Sequence, residues 1–392
     1  MKNQKRHGCL AALVLVIVLL AFGCSHDEEE ENLIYDPDKE PFKIGICVPV
    51  SGETDEYSKQ VFDGIRMAHE INGVIDNTKI TLVMKDACEI NDLNAFCEVM
   101  MQEGLQGIIY SAGEPKQNIP VFDAKADQGS FAVMAASSCM NPKTDVRVFR
   151  LGSTLIDQAR VAALFAVRSL GAGSVAVVLD QKSSSCVLLA SLFSSELIDA
   201  GGRIVNIAYV GDDEKGLESS VESMMQRNPD VIYMPYSEET SFRVISLAKG
   251  NESSAGMIIS NVLFERKFLD KGGKDLDGIY LITDFYPGAV QSKRGEALIK
   301  RYASKRREPR ALETSGALSS DAYFFLCDLL AQRPGPDALE DVVGFITNME
   351  TITGINGVST SGRLTKNMHV SQVRAGIIRG IRLIYKESIN PL

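Results

Sequence analysis

Residues 42–71 read FKIGICVPVSGETDEYSKQVFDGIRMAHEI. Phe42 to Val50 is a short apolar run that predicts a buried strand, and a polar loop beginning Ser51-Gly52 follows it. Tyr57, Val61, Ile65 and Ala68 then recur at helical spacing, with Lys59, Asp63 and Arg66 opposite, so Tyr57–Ile71 is predicted as an amphipathic helix. A short apolar strand leading into a one-faced helix is the repeating unit of a parallel sheet, because parallel neighbours need a crossover and the helix supplies it.

Working outward, the same unit recurs. Strands are predicted at Lys79–Lys85, Gly107–Ser111 and Phe131–Ala135, with helices at about Asn91–Glu103 and Gln117–Asp127. After Phe149-Arg150 a second series begins, with strands Ser174–Asp180, Arg203–Tyr209, Asp230–Tyr236, Ala255–Asn261 and Gly278–Thr283. Leu189, Leu192, Phe193 and Leu197 stripe one of its helices, which ends at Gly201, where a left-handed residue is needed. Past Asp284 the pattern changes to helices at about Lys293–Ser304, Ser315–Ala331 and Ala338–Thr347, then short strands at Ile355–Val358 and Gly376–Tyr385. A segment arriving after the second series must pack somewhere. Returning to the first unit would create two or three interdomain crossings, and the expected division is 42–150 with 285–350 in one lobe and 151–284 with 351–392 in the other.

The N-terminus sets the address. Lys2, Lys5 and Arg6 precede an uninterrupted apolar run, Leu10–Phe22, of 13 residues. That is shorter than the roughly 20 needed to span a bilayer and reads as a signal peptide over residues 1–23. The run ends in Leu20-Ala21-Phe22-Gly23-Cys24, which resembles the bacterial lipobox, in which the Cys thiol is acylated and becomes the mature N-terminus. Residues 24–41 carry five consecutive acids, Asp27–Glu31, and are expected to be a solvated tether. The address is therefore a bacterial cell envelope, with the chain lipid-anchored and facing the periplasm or the exterior.

Composition excludes several classes. Forty-one bases against 51 acids give a net charge of −10, and loss of the leader makes it −13. Nucleic-acid binding needs clustered Lys and Arg, so no nucleic-acid partner is expected. Only four His are present, and Gly73 stands where an HExxH beginning at His69-Glu70 would need its second His. Neither a metal site nor a cofactor is expected. No GxSxG, SxxK with KTG, or GxxxxGK[ST] occurs, so no catalytic residue is assigned and the chain reads as a non-enzyme. Cys47 and Cys327 lie in apolar periodic segments and are expected as buried thiols, while Cys88 and Cys97 are the one close pair that export would permit to bridge.

The stretch Ser51-Gly52…Tyr57…Gln60…Phe62…Gly64 is similar, in residue type and spacing, to a motif of the periplasmic type I solute-binding proteins, specifically the branched-chain amino acid-binding family that feeds ABC importers. Asp86-Ala87-Cys88, Val148-Phe149-Arg150 with Asp157-Gln158, Asp230-Val231-Ile232-Tyr233 and Asp321-Ala322-Tyr323 extend the resemblance over nearly all of Lys43–Tyr385. It implies an α/β fold of two Rossmann-like lobes, parallel sheets with helices on both faces, joined by a multi-strand hinge. It further implies a small-molecule ligand in the cleft, possibly an amino acid, and a membrane permease as partner. By that resemblance the ligand loops hold Ser51, Tyr57, Ser111, Glu114, Ser137, Ser138, Cys139, Ser185, Tyr236, Glu238 and Asn261. Ser111, Ser137 and Ser138 would donate to a carboxylate and the two tyrosines would wall the apolar part, while Glu114 would oppose a carboxylate placed against it.

Three positions depart from the family pattern: Cys139 stands for a Thr, Ser185-Cys186 for a Tyr-Gly pair, and Asn261 for the acid that accepts a ligand ammonium. Glu238 and Glu265 are the acids left for that role. Two readings follow, a receptor delivering a small polar or amphipathic solute to a permease, and a lipoprotein of the same fold acting as a sensor or scaffold for a membrane or cell-wall partner. Both share the anchor. Replacing Cys24 with Ser is expected to release the protein from the membrane fraction, and an unacylated N-terminal mass in the wild type would refute the anchor.

Overall fold

A computed structural model describes residues 34–48, 55–86, 103–110, 131–134, 148–210, 214–235, 238–260, 265–304, 312–332, 349–358 and 364–384. The predicted helices over 91–102, 117–127 and 338–347 lie outside them.

The first sheet joins β1 (Phe42–Val48), β2 (Val74–Ile75), β3 (Thr78–Asp86), β4 (Gly107–Tyr110), β5 (Phe131–Met134) and β6 (Val148–Arg150) in the order β2-β3-β1-β4-β5-β6. All neighbours are parallel except β2, which returns into β3 through Asp76 and Asn77, both at positive φ as a tight two-residue hairpin demands. The second sheet joins β7 (Ser174–Asp180), β8 (Arg203–Val210), β9 (Val231–Pro235), β10 (Gly256–Ser260), β11 (Tyr280–Thr283), β14 (Met368–Arg374) and β15 (Ile377–Ile384) in the order β15-β14-β11-β10-β9-β7-β8. Its core is parallel, and β14 and β15 add an antiparallel edge. A separate hairpin, β12 (Ile355–Val358) with β13 (Leu364–Lys366), lies in the chain between β11 and β14 of the second sheet. In each sheet the second strand of its series lies outside the first and the third inside it, so β1/β4 and β7/β9 are equivalent topological switch points.

The fold class expected from the residues is therefore found, and the mixed α/β architecture takes the type I periplasmic binding protein form. Helices α2 (Leu155–Leu164) and α3 (Ser184–Asp199) pack on one face of the second sheet. On its other face lie α4 (Glu214–Met225), α5 (Glu238–Gly250) and α6 (Glu265–Gly272). Gly201, just beyond α3, has φ of 92°, as its place after the helix requires. Three differences from the sequence reading concern strands. β2, β13 and β14 were not expected, nor was β6, whose residues were read only as the point where the second series begins, and β14 escapes notice because His369, Ser371 and Gln372 interrupt its apolar pattern although all three are buried.

In the first lobe α1 (Asp55–Ile71), α7 (Lys293–Ser304) and α8 (Thr314–Gln332) cover the described face. Residues 314–327 of α8 are buried on every side, which a helix enclosed between a sheet and other helices must be. It meets α1 through small residues. Ser315 Oγ donates to Gln60 Oε1, Ser319 Oγ to the Val61 carbonyl at 2.9 Å, and Ser320 Oγ to the Gly64 carbonyl at 2.9 Å. A Cβ on Gly64 would fall 2.3 Å from the Gly316 carbonyl oxygen, a backbone atom that cannot turn aside. Gly64→Ala is accordingly expected to destabilise the fold by about 1–3 kcal/mol through overpacking, read from the midpoint of denaturant unfolding. An unchanged midpoint would show that α1 and α8 can separate freely.

Candidate functional site

The candidate ligand residues all follow the carboxyl ends of parallel strands. Ser51 and Tyr57 come after β1, Ser111 and Glu114 after β4, and Ser137, Ser138 and Cys139 after β5. In the second lobe Ser185 comes after β7, Tyr236 and Glu238 after β9, and Asn261 after β10. Seven of these flank the two switch points, where open α/β sheets leave a crevice because successive helices depart to opposite faces. Tyr57 is the third residue of α1, Ser185 the second of α3, and Glu238 the first of α5. Ser51, Ser111, Glu114, Ser137, Ser138, Cys139, Tyr236 and Asn261 lie outside the described residues, as does Cys24.

Beneath the second lobe's loops is a buried polar floor that the residue patterns did not single out. Tyr233, fully buried in β9 and stacked on Phe193 with ring centroids 3.7 Å apart, donates its hydroxyl to Ser260 Oγ at 3.0 Å. Burial drives the Tyr233 phenol well above its usual range, so it stays protonated and remains a donor. Ser183 caps α3 by accepting from the Cys186 amide, and the buried Cys186 Sγ lies 3.5 Å from the carbonyl of Pro235, the last residue of β9. The ends of β7, β9 and β10 are thus tied from below.

The two lobes meet beyond β10. Glu313, just ahead of α8 and hence beside the start of α1, accepts from the Arg266 amide at 3.4 Å, in the first turn of α6 beyond β10. A carboxylate at a helix start is favoured there by the exposed N–H groups. The chain passes between lobes near residues 151–154, 284–285 and 352–367. Asp284, buried, binds the other two crossings. It accepts from the Ser153 amide at 3.1 and 3.2 Å and from Ser153 Oγ at 3.1 Å, and the Lys366 Nζ lies 3.4 Å away. Gln158 Nε2 in turn donates to Ser153 Oγ at 3.1 Å. Asp321 of α8 holds the third crossing, accepting from the Ile352 amide at 2.7 Å, the Thr353 amide at 2.8 Å and Thr353 Oγ1 at 2.7 Å.

Several residues that carry the family likeness thus have structural partners. Asp157 completes a capping box with Thr154, Gln158 supports the hinge, and Gln60 and Gly64 seat α8. Asp230 accepts from the Gly173 amide, the Ser174 amide and Ser174 Oγ at 2.9, 2.8 and 2.8 Å, tying β9 to the start of β7. Those bonds, the Ser174 hydroxyl first, hold its carboxyl below the usual range. Cys47 and Cys327 are buried free thiols, as expected, and burial pushes Cys327 up to about 12. Among the described residues no three His, Cys, Asp or Glu side chains are grouped to hold a metal ion.

Two sheets, each with a switch point, joined by three crossings define an α/β protein of two lobes. The chain belongs to the periplasmic binding protein family, whose model matches residues 41–376. No curated protein matches it. Among solved structures, it is similar to a leucine-binding protein from Thermotoga maritima at 20% identity, covering 88% of this chain and 99% of that one with a TM-score of 0.70. It is similar also to a branched-chain amino acid transporter substrate-binding protein from Streptococcus pneumoniae in complex with isoleucine, at 17% identity, 88% and 99% coverage and a TM-score of 0.71. A solute-binding protein from R. palustris in complex with benzoate matches at 12% identity, 89% and 99% coverage and a TM-score of 0.64.

The hinge titrates. His369 of β14 is buried near Lys366 and the Tyr286 ring, and burial followed by the Lys366 charge lowers its pKa from 6.5 to about 4. Because the folded value lies below the unfolded one, the unfolded chain takes up the proton first on acidification. Stability present above about pH 6.5 is therefore lost as the pH falls through about 4, by up to about 3 kcal/mol. His369→Gln should flatten that part of the stability profile, measured by denaturant unfolding at closely spaced pH values. A profile as steep as the wild type would assign the acid sensitivity elsewhere.

Proposed function

We propose that the protein is a lipid-anchored extracytoplasmic solute-binding protein that captures a small polar or amphipathic molecule, an amino acid or a related acid, between its lobes for an ABC importer. The observation that supports this reading is the place of the candidate residues in the chain, after the carboxyl ends of parallel strands and seven of them at the two switch points. Family membership supports it, and so do the ligands named for similar structures, which include isoleucine, benzoate and 4-hydroxybenzoate. Ser111, Ser137 and Ser138 would receive the ligand carboxylate, with Tyr57 and Tyr236 against its apolar part. We assign the lobes as 42–150 with 285–350 and 151–284 with 351–392, and the permease as the membrane partner.

The departures at Cys139, Ser185-Cys186 and Asn261 favour a second reading, in which the same fold serves as a sensor or scaffold. An aromatic acid, lacking an ammonium group, accounts for Asn261 without abandoning capture. Native mass spectrometry of freshly purified protein, followed by calorimetry with leucine, isoleucine, benzoate and 4-hydroxybenzoate, separates the readings. With a ligand in hand, Tyr57→Ala and Tyr236→Ala are each expected to weaken binding by about 1–3 kcal/mol, roughly 5- to 150-fold. Their unfolding should change by much less than the roughly 3–5 kcal/mol that truncating a core aromatic costs. Intact affinity with a large fall in unfolding temperature would place both rings in the core and remove the aromatic wall.

A further inference from the structure

The second sheet ends in two strands of eight residues, β8 and β15, each paired on one side only among the described residues. An open strand edge is a row of unpaired N–H and C=O groups, and proteins that stay apart blunt it, commonly with charge. β15 is blunted in this way by Arg379 and Arg382. β8 reads RIVNIAYV, and its one charge is Arg203 at the start. A register shift at Val205 leaves Asn206–Val210 as a regular run, in which Ile207 is 41% and Tyr209 49% exposed. Both stand opposite the β7 residues Val177 and Leu179, on the face that α3 covers. Large apolar side chains exposed beside an unblunted edge mark a surface built for pairing.

We propose that β8 pairs with β8 of a second copy of this chain, antiparallel about a two-fold axis, so that two second lobes share one continuous sheet. Centred on Ala208, the pairing sets Ile207 of each copy opposite Tyr209 of the other. Two such contacts form on one face, each a β-branched residue against an aromatic ring, a favourable cross-strand pair. Charge selects a second copy as the occupant. Arg203 opens the strand and Asp212-Asp213 follow its end in the sequence, so antiparallel pairing brings the basic end of each copy toward the acidic end of the other. The same operation on β15 would instead bring Arg379 and Arg382 of both copies together. The two-fold also places α3 and its copy on the same side of the joined sheet. The exposed α3 positions Val187, Ser191, Ser195 and Ile198 carry no charge, and so add no repulsion to a chain whose net charge is −10. The pairing engages the second lobe alone and is independent of whether a ligand enters between the lobes.

Sedimentation of the full chain in a density-matched detergent tests this. At about 50 μM, where a micromolar dimer is mostly formed, the expected mass is twice that of the single chain. Tyr209→Lys puts a charge on the open edge at an exposed position and should return the protein to a single chain, with an unchanged thermal midpoint showing that the variant is folded. Ile207→Lys replaces it if Tyr209→Lys does not fold. A second measurement leaves the interface in place: Ile207→Cys with Tyr209→Cys in one chain should give a reducible dimer band in membranes, which neither the wild type nor Arg379→Cys with Ile381→Cys on β15 gives. A single-chain mass for the wild type overturns the proposal, whether the edge is then bare or is taken by lipid or by a different polypeptide. A doubled mass that survives a lysine on β8, or an absent cross-link, overturns it equally.

Discussion

The Asp284 carboxylate is the constraint on which the arrangement of this molecule depends. Ile282 belongs to the core of the second lobe and Phe285 to that of the first, so the chain changes lobes within three residues around Asp284. Thr283 Oγ1 donates to the Phe285 carbonyl at 3.0 Å and steadies the same turn. A carboxylate buried at such a point must find donors and countercharge, and it finds hydrogen-bond donors on the first crossing and an ammonium 3.4 Å away on the third. Three peptide segments with no continuous sheet between them are thereby held at one point, which leaves rotation as the motion that disturbs the fewest contacts.

Several residues that carry the family resemblance have fixed structural partners. Asp230 ties the start of one strand to its neighbour, Asp321 receives three donors from the third crossing, and Gly64 lets two helices touch through their backbones. An apolar core position accepts several residues of similar volume at modest cost, whereas a carboxylate with three donors has no substitute of the same shape and charge. At about 20% identity to a solved relative the fold is still the same.

That contrast also explains what the residues disclosed before any coordinates. The parallel strands at 174–180 and 231–235 are near-continuous apolar runs because both faces are covered, and the helix over 293–304 has a single apolar side, so periodicity locates them. β14 is buried yet reads as polar, since Ser371, His369 and Gln372 serve the region where the third crossing enters the sheet. The hinge itself was illegible. Ser153 and Asp284 are 131 residues apart, and neither stands in a local pattern that announces a partner. Placement of the candidate site followed from the family resemblance, which assigns the ligand loops to strand ends and so needs only topology. The partners of Tyr233, Cys186 and Glu313 depend on which loops meet in space, and no one-dimensional spacing encodes that.

The docking of α8 against α1 has a consequence for how the chain comes to be folded. Gln60 and Ser315 are 255 residues apart, and the first lobe's core includes Leu329 and Leu330. That lobe cannot close until nearly the whole polypeptide has been made, whereas the parallel strands of the second are contiguous in the chain. Pairings so distant are slow, because the intervening loop must be gathered before any contact compensates for it. A nascent chain led by a signal peptide would then reach a translocation channel with its N-terminal half still unable to complete a core. The discontinuity that builds the hinge would also keep the polypeptide threadable for as long as its synthesis lasts.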